Sequence, residues 1–362
     1  MSIYLLFITT NLLLFGTCFF TYADEFPTFT SNYNRELQNV DGNGSDDDVE
    51  SGDVQGVRYE DIDWSWYRDD MPPPVMLLQK GCSHSTWVTN TTMALLNHFG
   101  IKTYSEEYEI LKPQKNRFFT KEKGMSQAIV DFYRNSQNAI PGAWWVFKGS
   151  RAHITSDVAK TLQRLNTKVI NVYRSNALDK LTCNIRDCFK GGQGKDYVGY
   201  AVDLYGNPSQ LCFQRRFSNT TTNKAFINIK LLSKSLEQGY HGGAFQESFL
   251  KGLKFMKFPT LKTEDLTLYE YGGFYGMRVS IKSWCYVLLS IGVKHKHMAK
   301  TVREWLQNNG YGTRELQSQR ETIFNFDDVK LEVSHIRQGY FSHMIRDVID
   351  KTKLGKKFIN SL

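Results

Sequence analysis

Three short apolar runs alternate with longer, helix-periodic segments between residues 75 and 189, and this alternation is the strongest constraint on the fold. Each run is bounded by turn residues and is too short for a buried helix, so each predicts a buried strand. The predicted strands cover residues 75–78, 143–148 and 168–173. The segments between and after them predict helices over 87–99, 124–137, 156–165 and 178–189, the third with Ser156 as its N-cap. This order is typical of α/β proteins with an open, mostly parallel sheet flanked by helices.

Parallel strands bring the loops that follow them to one edge of the sheet, where ligands of such folds bind. The segments after the three predicted strands are residues 81–86, 148–153 and 174–176. We therefore expect a ligand site to be built from these three segments.

The alternation weakens after residue 190. The remaining apolar runs predict a short strand within 225–230, one long helix over 281–306, a strand at 323–326 and a closing helix over 341–351. Residues 103–116 are polar and predict a connecting segment.

The charge is distributed unevenly along the chain. Residues 1–70 carry 3 Lys or Arg and 14 Asp or Glu, a net charge of −11, whereas residues 71–362 carry 42 and 23, a net charge of +19. A domain this basic attracts anions such as a polyphosphate nucleotide or an acidic polysaccharide.

The N-terminal residues predict entry into the secretory pathway. Residues 1–23 are almost wholly apolar and predict either a cleaved signal peptide or a retained membrane anchor through residues 3–22. Residues 24–62 are acidic and poor in hydrophobic side chains, which predicts a flexible stalk before a folded domain over 63–362. We expect a Golgi protein anchored in the membrane, or a secreted protein if the segment is cleaved.

Sequons support that compartment, and two cysteines could form a disulfide. The sequons begin at Asn43, Asn90 and Asn219. Cys183 and Cys188 are close enough in sequence for a local disulfide, with two buried thiols as the alternative. No Cys/His spacing resembles a zinc site, and we expect no metal requirement.

The stretch from Val75 to Trp87 is the first with a chemical signature. A buried strand leads into a compact Gly/Ser turn, and a helix follows. This geometry points backbone N–H groups and a helix N-terminus at an anion, although an ordinary turn with a Ser N-cap has the same pattern. The stretch matches neither a Walker A loop nor a dinucleotide-binding glycine motif.

The second signature is an arginine directly after the third predicted strand. Arg174 occupies that position, and Thr182 follows it in the next predicted helix. A guanidinium and a hydroxyl so placed can hold one phosphate together. A surface Arg and an unrelated helix Thr are the alternative.

Together, the two signatures resemble the sulfotransferases that use 3′-phosphoadenosine 5′-phosphosulfate (PAPS), whose fold resembles that of P-loop NTPases. Those proteins carry a K-S-G-T-T-W loop after the first strand and R-x-x-x-x-x-x-x-S after a later one. Residues 82–87 match the first motif at Ser83, Ser85, Thr86 and Trp87, and Arg174 and Thr182 match the second with Thr in place of Ser. The resemblance spans residues 73–190. It implies that Gly81 and the 82–87 loop hold the 5′-phosphosulfate and that Arg174 and Thr182 hold the 3′-phosphate.

The loop departs from the family at two positions. Cys82 stands where the family has Lys, and His84 stands where it has Gly. Lys80 is the expected cationic group, with His84 in reserve. Near the C-terminus, Arg337-Gln-Gly339 is similar to the family's R-K-G segment and implies a further contact to the 3′-phosphate.

The resemblance also implies a base for the acceptor proton. Residues 100–108 are similar to the G-x-P-x-E-Y-F-like segment of the carbohydrate-sulfating branch, so Glu107 is the expected base. Glu106, Glu109 and His153 are the alternatives, and a capping box at 105–109 is the structural one. Lys148 is expected to assist at the sulfuryl group or the acceptor.

We therefore expect a lumenal enzyme that transfers a sulfuryl group from PAPS to a hydroxyl of a glycan, with no nucleic acid partner. The first alternative is a catalytically silent protein that binds anionic glycans on the same scaffold. The second is a P-loop-like kinase, which the missing Gly-Lys-Ser/Thr sequence disfavours.

Overall fold

A computed structural model describes residues 56–79, 85–104, 110–187, 199–202, 224–267, 273–309 and 318–347. All of them belong to one unit of the chain, Asp48–Leu362. Within these residues the strands are β1 (Val75–Leu78), β2 (Thr103–Tyr104), β3 (Trp144–Gly149), β4 (Lys168–Tyr173), β5 (Gly199–Val202), β6 (Lys224–Ile227) and β7 (Thr260–Lys262).

The described residues form eleven α-helices. They are α1 (Ser85–His98), α2 (Gly124–Ala139), α3 (Ser156–Arg164), α4 (Ala177–Asp187), α5 (Ile229–Tyr240), α6 (Gly242–Gly252), α7 (Thr263–Leu266), α8 (Gly273–Ser290), α9 (Met298–Asn309), α10 (Gln319–Thr322) and α11 (Phe326–His335).

Five parallel strands form the central sheet, in the order β2-β3-β1-β4-β7. The predicted α/β class with an open parallel sheet is thus confirmed. β5 and β6 form a separate antiparallel pair.

Side chains of β1 alternate between two cores, because successive residues of a strand point to opposite faces. Val75 and Leu77 pack in a cluster with α1, α8 and α9, whereas Met76 and Leu78 pack in a cluster with α2, α3 and α6. Helices therefore cover both faces of the sheet, which explains why β1 is an unbroken run of buried apolar residues. A third cluster joins α4, α5, α11 and β6.

The three predicted strands are confirmed, and Lys168–Tyr173 has the same bounds in the structure. Four predicted helices correspond to α1 to α4. Thr155, not Ser156, is the N-cap of α3, because its side chain accepts a hydrogen bond from the backbone N–H of Val158.

The single long helix predicted over 281–306 is wrong. The chain forms α8 and α9 instead, and α8 ends where Gly292 adopts a φ of +100°. The Val293 N–H then bonds to the Leu288 carbonyl, which reverses the chain. Both helices turn their apolar faces to the same core cluster, so periodicity alone did not reveal the break.

The C-terminal predictions also need correction. Residues 323–326 are not a strand: Ile323 makes an isolated bridge to Ala225, and Phe326 already begins α11. The closing helix predicted over 341–351 is absent from 341–347, where the described chain forms only a 3-10 turn at Ser342–Met344. The strand predicted within 225–230 ends at Ile227, because Asn228 caps α5.

Residues before the predicted boundary at 63 already touch the domain. The Val57 N–H bonds to the Lys123 carbonyl, and Ile62 is buried. In the described residues, no helix has the length and apolar character needed to cross a membrane. The candidate signal or anchor at 1–23 and most of the predicted stalk lie outside them.

Candidate functional site at the carboxyl edge of the sheet

The carboxyl ends of β1, β3, β4 and β7 line one edge of the sheet. β1 lies between β3 and β4, so the chain leaves β1 towards one side of the sheet and later returns to the other side. Ligands of open α/β sheets bind in the crevice at such a switch point. The described parts of the three segments expected at this edge, 85–86, 148–153 and 174–176, do follow these neighbouring strands.

The N-terminus of α1 and the end of β3 meet at this edge. α1 begins at Ser85, and the Lys148 ammonium donates a hydrogen bond of 2.8 Å to the Thr86 hydroxyl. Lys148 pairs with Leu77 of β1 in the parallel register, which fixes its position beside the strand that leads to α1. Thr86 is exposed and Lys148 is half-buried.

This pairing of groups favours an anion. The N-terminus of a helix carries a partial positive charge, and its first backbone N–H groups have no partner within the helix. An ammonium next to it adds positive charge to the same place. The resulting potential attracts a phosphate or sulfate, to which the Thr86 hydroxyl is an additional potential donor.

The end of β3 packs closely against Met76 and Leu111 at Gly149. A Cβ atom at this position would lie 2.7 Å from Met76 Sδ and 3.4 Å from Leu111 Cδ1. The absence of a side chain therefore lets the backbone beside Lys148 pack directly on the core.

Arg174 is buried at the end of β4, where it faces a carboxylate of the chain itself. One guanidinium nitrogen lies 3.5 Å from Asp179 Oδ2. Asp179 also forms an ion pair with Arg346 and accepts a 2.9 Å hydrogen bond from Gln319. Burial, and secondarily the neighbouring Arg174, lower the pKa of Arg346 to about 9, so this guanidinium stays charged at neutral pH.

The loop after Arg174 is fixed by a second buried carboxylate. Glu264, at the start of α7, accepts hydrogen bonds from the backbone N–H groups of Ser175 and Asn176, each at 2.9 Å. The Asn176 side chain caps α4 by accepting from the Asp179 N–H. The start of α7, directly after β7, therefore anchors the loop that presents Arg174.

Two predicted nucleotide-binding side chains make internal contacts. The Thr182 hydroxyl donates to the Leu178 carbonyl at 2.8 Å, so it must turn away from that carbonyl before it can donate to a phosphate. The Trp87 ring packs edge-on against Trp284 of α8, with 5.8 Å between ring centroids. Its contact is with the core.

His153 and Arg337 are the remaining described candidates. His153 ends the 3-10 turn Arg151–His153 that follows β3, and it is partly exposed. Arg337 forms a 2.9 Å ion pair with Glu237 of α5, beside the third core cluster. The structure thus pairs Arg337 with a carboxylate of that region.

Several candidates lie outside the described residues. These are Lys80, Gly81, Cys82, Ser83, His84, Glu106, Glu107 and Glu109. Their roles in the loop and as the base stay predictions.

The described residues contain no group of His, Cys, Asp and Glu that could hold a metal ion. Cys183 is disulfide-bonded, with its partner outside the described residues, whereas Cys285 forms no disulfide.

Sequence reasoning missed the carboxylates and the second arginine of this edge. Asp179, Glu264, Gln319 and Arg346 come from four different segments, and none belongs to a motif. The one available signal was that Glu264 comes shortly after the apolar Leu261, as polar residues do at the end of a strand. β7 is too short for that signal to stand out.

A separate cleft of about 490 Å³ lies between β6 and the helices α10 and α11. Lys224, Phe226 and Arg320 are among its lining residues, and none of the residues lining it is a predicted site residue.

Neither a protein-family model nor a curated protein sequence matches the chain. The protein is therefore classed by its fold, an α/β domain with an open five-stranded parallel sheet flanked by helices.

Proposed function

We propose that the protein transfers a sulfuryl group from PAPS to a hydroxyl of a glycan in the secretory lumen. The observation that carries the proposal is the contact between Lys148 and Thr86 at the N-terminus of α1. It brings a cation, a hydroxyl and a helix N-terminus together at the topological switch point of the sheet.

Sulfuryl transfer needs stabilisation of the charge that develops on the leaving phosphate. The acceptor oxygen forms a bond to sulfur while the bond from sulfur to the 5′-phosphate oxygen breaks, and that oxygen keeps the electron pair. Lys148 and the N-terminus of α1 stabilise this negative charge electrostatically. Lys80 adds to them in the proposal, and Thr86 orients the transferred group.

The proton of the acceptor hydroxyl passes to a carboxylate or imidazole within hydrogen-bonding reach. Glu107 is the proposed base, with Glu106, Glu109 and His153 as alternatives. No metal takes part in the proposed reaction.

The 3′-phosphate is assigned to the loop after β4. Arg174 and Thr182 bind it in this proposal, with Arg337 as a further contact. To bind the phosphate, the Arg174 guanidinium must either leave the Asp179 carboxylate or contact both groups at once. The Thr182 hydroxyl must leave the Leu178 carbonyl.

These same internal contacts favour the second candidate function. A scaffold whose Arg174 is bound by Asp179 fits a silent protein that binds anionic glycans without the nucleotide. The two functions differ in whether a 3′-phosphate is recognised.

Thermal unfolding with 3′-phosphoadenosine 5′-phosphate (PAP) and with ADP separates them, because ADP lacks the 3′-phosphate. The sulfotransferase proposal expects a larger rise in Tm with PAP, and Arg174→Lys should remove that preference while keeping the positive charge. Equal shifts for both nucleotides would contradict it.

Transfer of labelled sulfate from PAPS to a panel of desulfated polysaccharides tests the reaction itself. Glu107→Gln should retain PAP binding and lose transfer. Normal transfer by this variant would move the base to one of the alternatives, and no transfer by the unmutated protein would favour the silent binder.

A further inference from the structure

A long stretch with several basic residues and no acidic residue covers α8, the turn after it and the first half of α9. Residues 271–303 contain six Lys or Arg and two His, and no Asp or Glu. The candidate site uses none of these residues.

One face of α8 exposes a continuous stripe of side chains. Arg278, Lys282, Tyr286 and Leu289 are all exposed, at spacings of four, four and three residues. At 100° per residue, these positions fall within an arc of about 80° and therefore share one face. Tyr286 and Leu289 are 51% and 57% exposed, although both are large side chains.

The turn continues this stripe with further cations. Lys294 and Lys296 are exposed in the turn, and Lys300 and Arg303 are exposed on α9. Among the residues that the structure describes, Lys300 has a carboxylate partner, Glu304 at 3.8 Å, whereas Lys282, Lys294, Lys296 and Arg303 have none. Cations without local neutralisation leave a strong potential over the surface.

The stripe begins close to the carboxyl edge of the sheet. Ser280 and Trp284 of α8 both donate to the Leu266 carbonyl of α7, the helix that directly follows β7. The turn lies at the other end of the domain, where the His295 ring packs on Phe99 just after α1 ends. From Arg278 to Leu289 the stripe is about 17 Å long at 1.5 Å per residue.

From this arrangement we infer that α8 and the α8–α9 turn bind a linear acidic polysaccharide. The cations pair with its carboxylates or sulfates, and Tyr286 offers an aromatic face to a sugar ring and a hydroxyl for hydrogen bonding. The assignment of this polysaccharide as the acceptor rests on the proposed function, but binding at the surface does not.

A linear polyanion fits this surface better than a membrane does. A peripheral membrane site needs a broad apolar face beside its cations, and the stripe exposes only Tyr286 and Leu289 as large apolar groups. A chain of sugars extended along α8 contacts the cations in succession and ends near the site at the carboxyl edge.

Binding of the full-length protein to heparin, a linear sulfated polysaccharide, tests the inference. Lys294→Glu combined with Lys296→Glu should weaken binding roughly tenfold or more, because the interaction is dominated by charge and counterion release. Lys282→Glu should also weaken it, since that residue extends the surface along α8.

The matched control reverses two exposed lysines of α5, Lys230→Glu with Lys234→Glu, which changes the net charge equally. It should weaken binding to heparin far less. Equal loss in the two double variants, or no loss in the first, would overturn the inference. Tighter binding to single-stranded DNA or to phosphatidylserine vesicles than to heparin would assign the surface to another partner and overturn it too.

PAP binding measured on the same samples separates the two proposals. If the α8–α9 variants lose heparin binding and the unmutated protein does not bind PAP, the polysaccharide surface is supported and the sulfotransferase proposal is contradicted. If the unmutated protein binds PAP but not heparin, the sulfotransferase proposal is supported and the polysaccharide surface is contradicted.

Discussion

The cations in the two halves of the carboxyl edge differ in burial and in the group that they contact. In the half formed by β1, α1 and β3, Lys148 is half-buried and donates to a neutral hydroxyl, Thr86, which is exposed. In the half formed by β4 and β7, Arg174 is buried and paired with the carboxylate of Asp179.

The difference indicates different roles for the two halves, one in ligand binding and one in stability. A cation beside a hydroxyl and the N-terminus of a helix contributes to a positive potential that attracts an anion. A buried pair of guanidinium and carboxylate is held by low dielectric and by further hydrogen bonds, so an incoming phosphate must compete with it. We therefore expect the β3 half to dominate ligand affinity and the β4 half to dominate stability.

The largest expected effect is that of Glu264→Ala. This change leaves the buried N–H groups of Ser175 and Asn176 without their acceptor, which should lower the free energy of unfolding by about 3–5 kcal/mol. Urea unfolding measures it. Glu247→Ala on α6 removes a partly exposed carboxylate paired with the exposed Lys251 and should change stability little. A similar small change in both variants would break the comparison.

Asp179→Asn should cost about 3 kcal/mol, because the buried Arg174 and the half-buried Arg346 lose their shared carboxylate. Asp157→Asn, at an exposed ion pair on α3, is the control. Asp179→Asn also tests the comparison through ligand binding. PAP should raise the Tm of this variant more than that of the unmutated protein, because the phosphate no longer competes with the Asp179 carboxylate. An unchanged shift would mean that this pair does not limit phosphate binding.

Gly149→Ala tests the packing beneath Lys148. A Cβ atom 2.7 Å from Met76 Sδ requires the core or the end of β3 to shift, at a cost of about 1–3 kcal/mol. Gly252→Ala has open space around its Cβ and should not destabilise the protein. Thermal and urea unfolding compare the two, and equal effects would contradict the close packing at Gly149.

Asp265→Asn should have the smallest effect and the opposite sign. Burial, with a smaller contribution from Glu264, raises the pKa of Asp265, so its ionised form is disfavoured in the folded protein. The penalty is absent well below the ordinary Asp pKa of about 4 and is complete once the pH has risen above the raised pKa. The variant should therefore be slightly more stable at pH 7, and this gain should disappear at acid pH. Urea unfolding across pH measures it, and a gain that persists in acid would contradict the cause.

The sequence predicted the centre of the sheet well, because β1, β3 and β4 are apolar runs with turn residues at both ends. It did not predict β2 or β7, whose two and three residues are too few to show a pattern. Strand order was also not predicted, since it depends on contacts between segments far apart in the chain.

The candidate site was predicted in part. Thr86 and Arg174 follow recognisable strands and Lys148 lies at the end of one, so parallel topology alone places them at one edge. Asp179 and Arg346 are partners only because the chain returns to α4 after α11. A contact between residues so far apart in sequence leaves no local pattern, and for that reason the neutralisation of Arg174 was not foreseen.

Calorimetric titration of PAP into Lys148→Met tests the central claim most directly, with Lys168→Met as the matched control. Lys168 begins β4 at the opposite edge of the same sheet, where its ammonium donates to Asn166. Loss of the ammonium beside α1 should weaken PAP binding by about tenfold or more, as for a charge-assisted contact of 1.5–3 kcal/mol, and the control should bind normally. Equal affinities of the two variants for PAP would contradict an anion site at the N-terminus of α1.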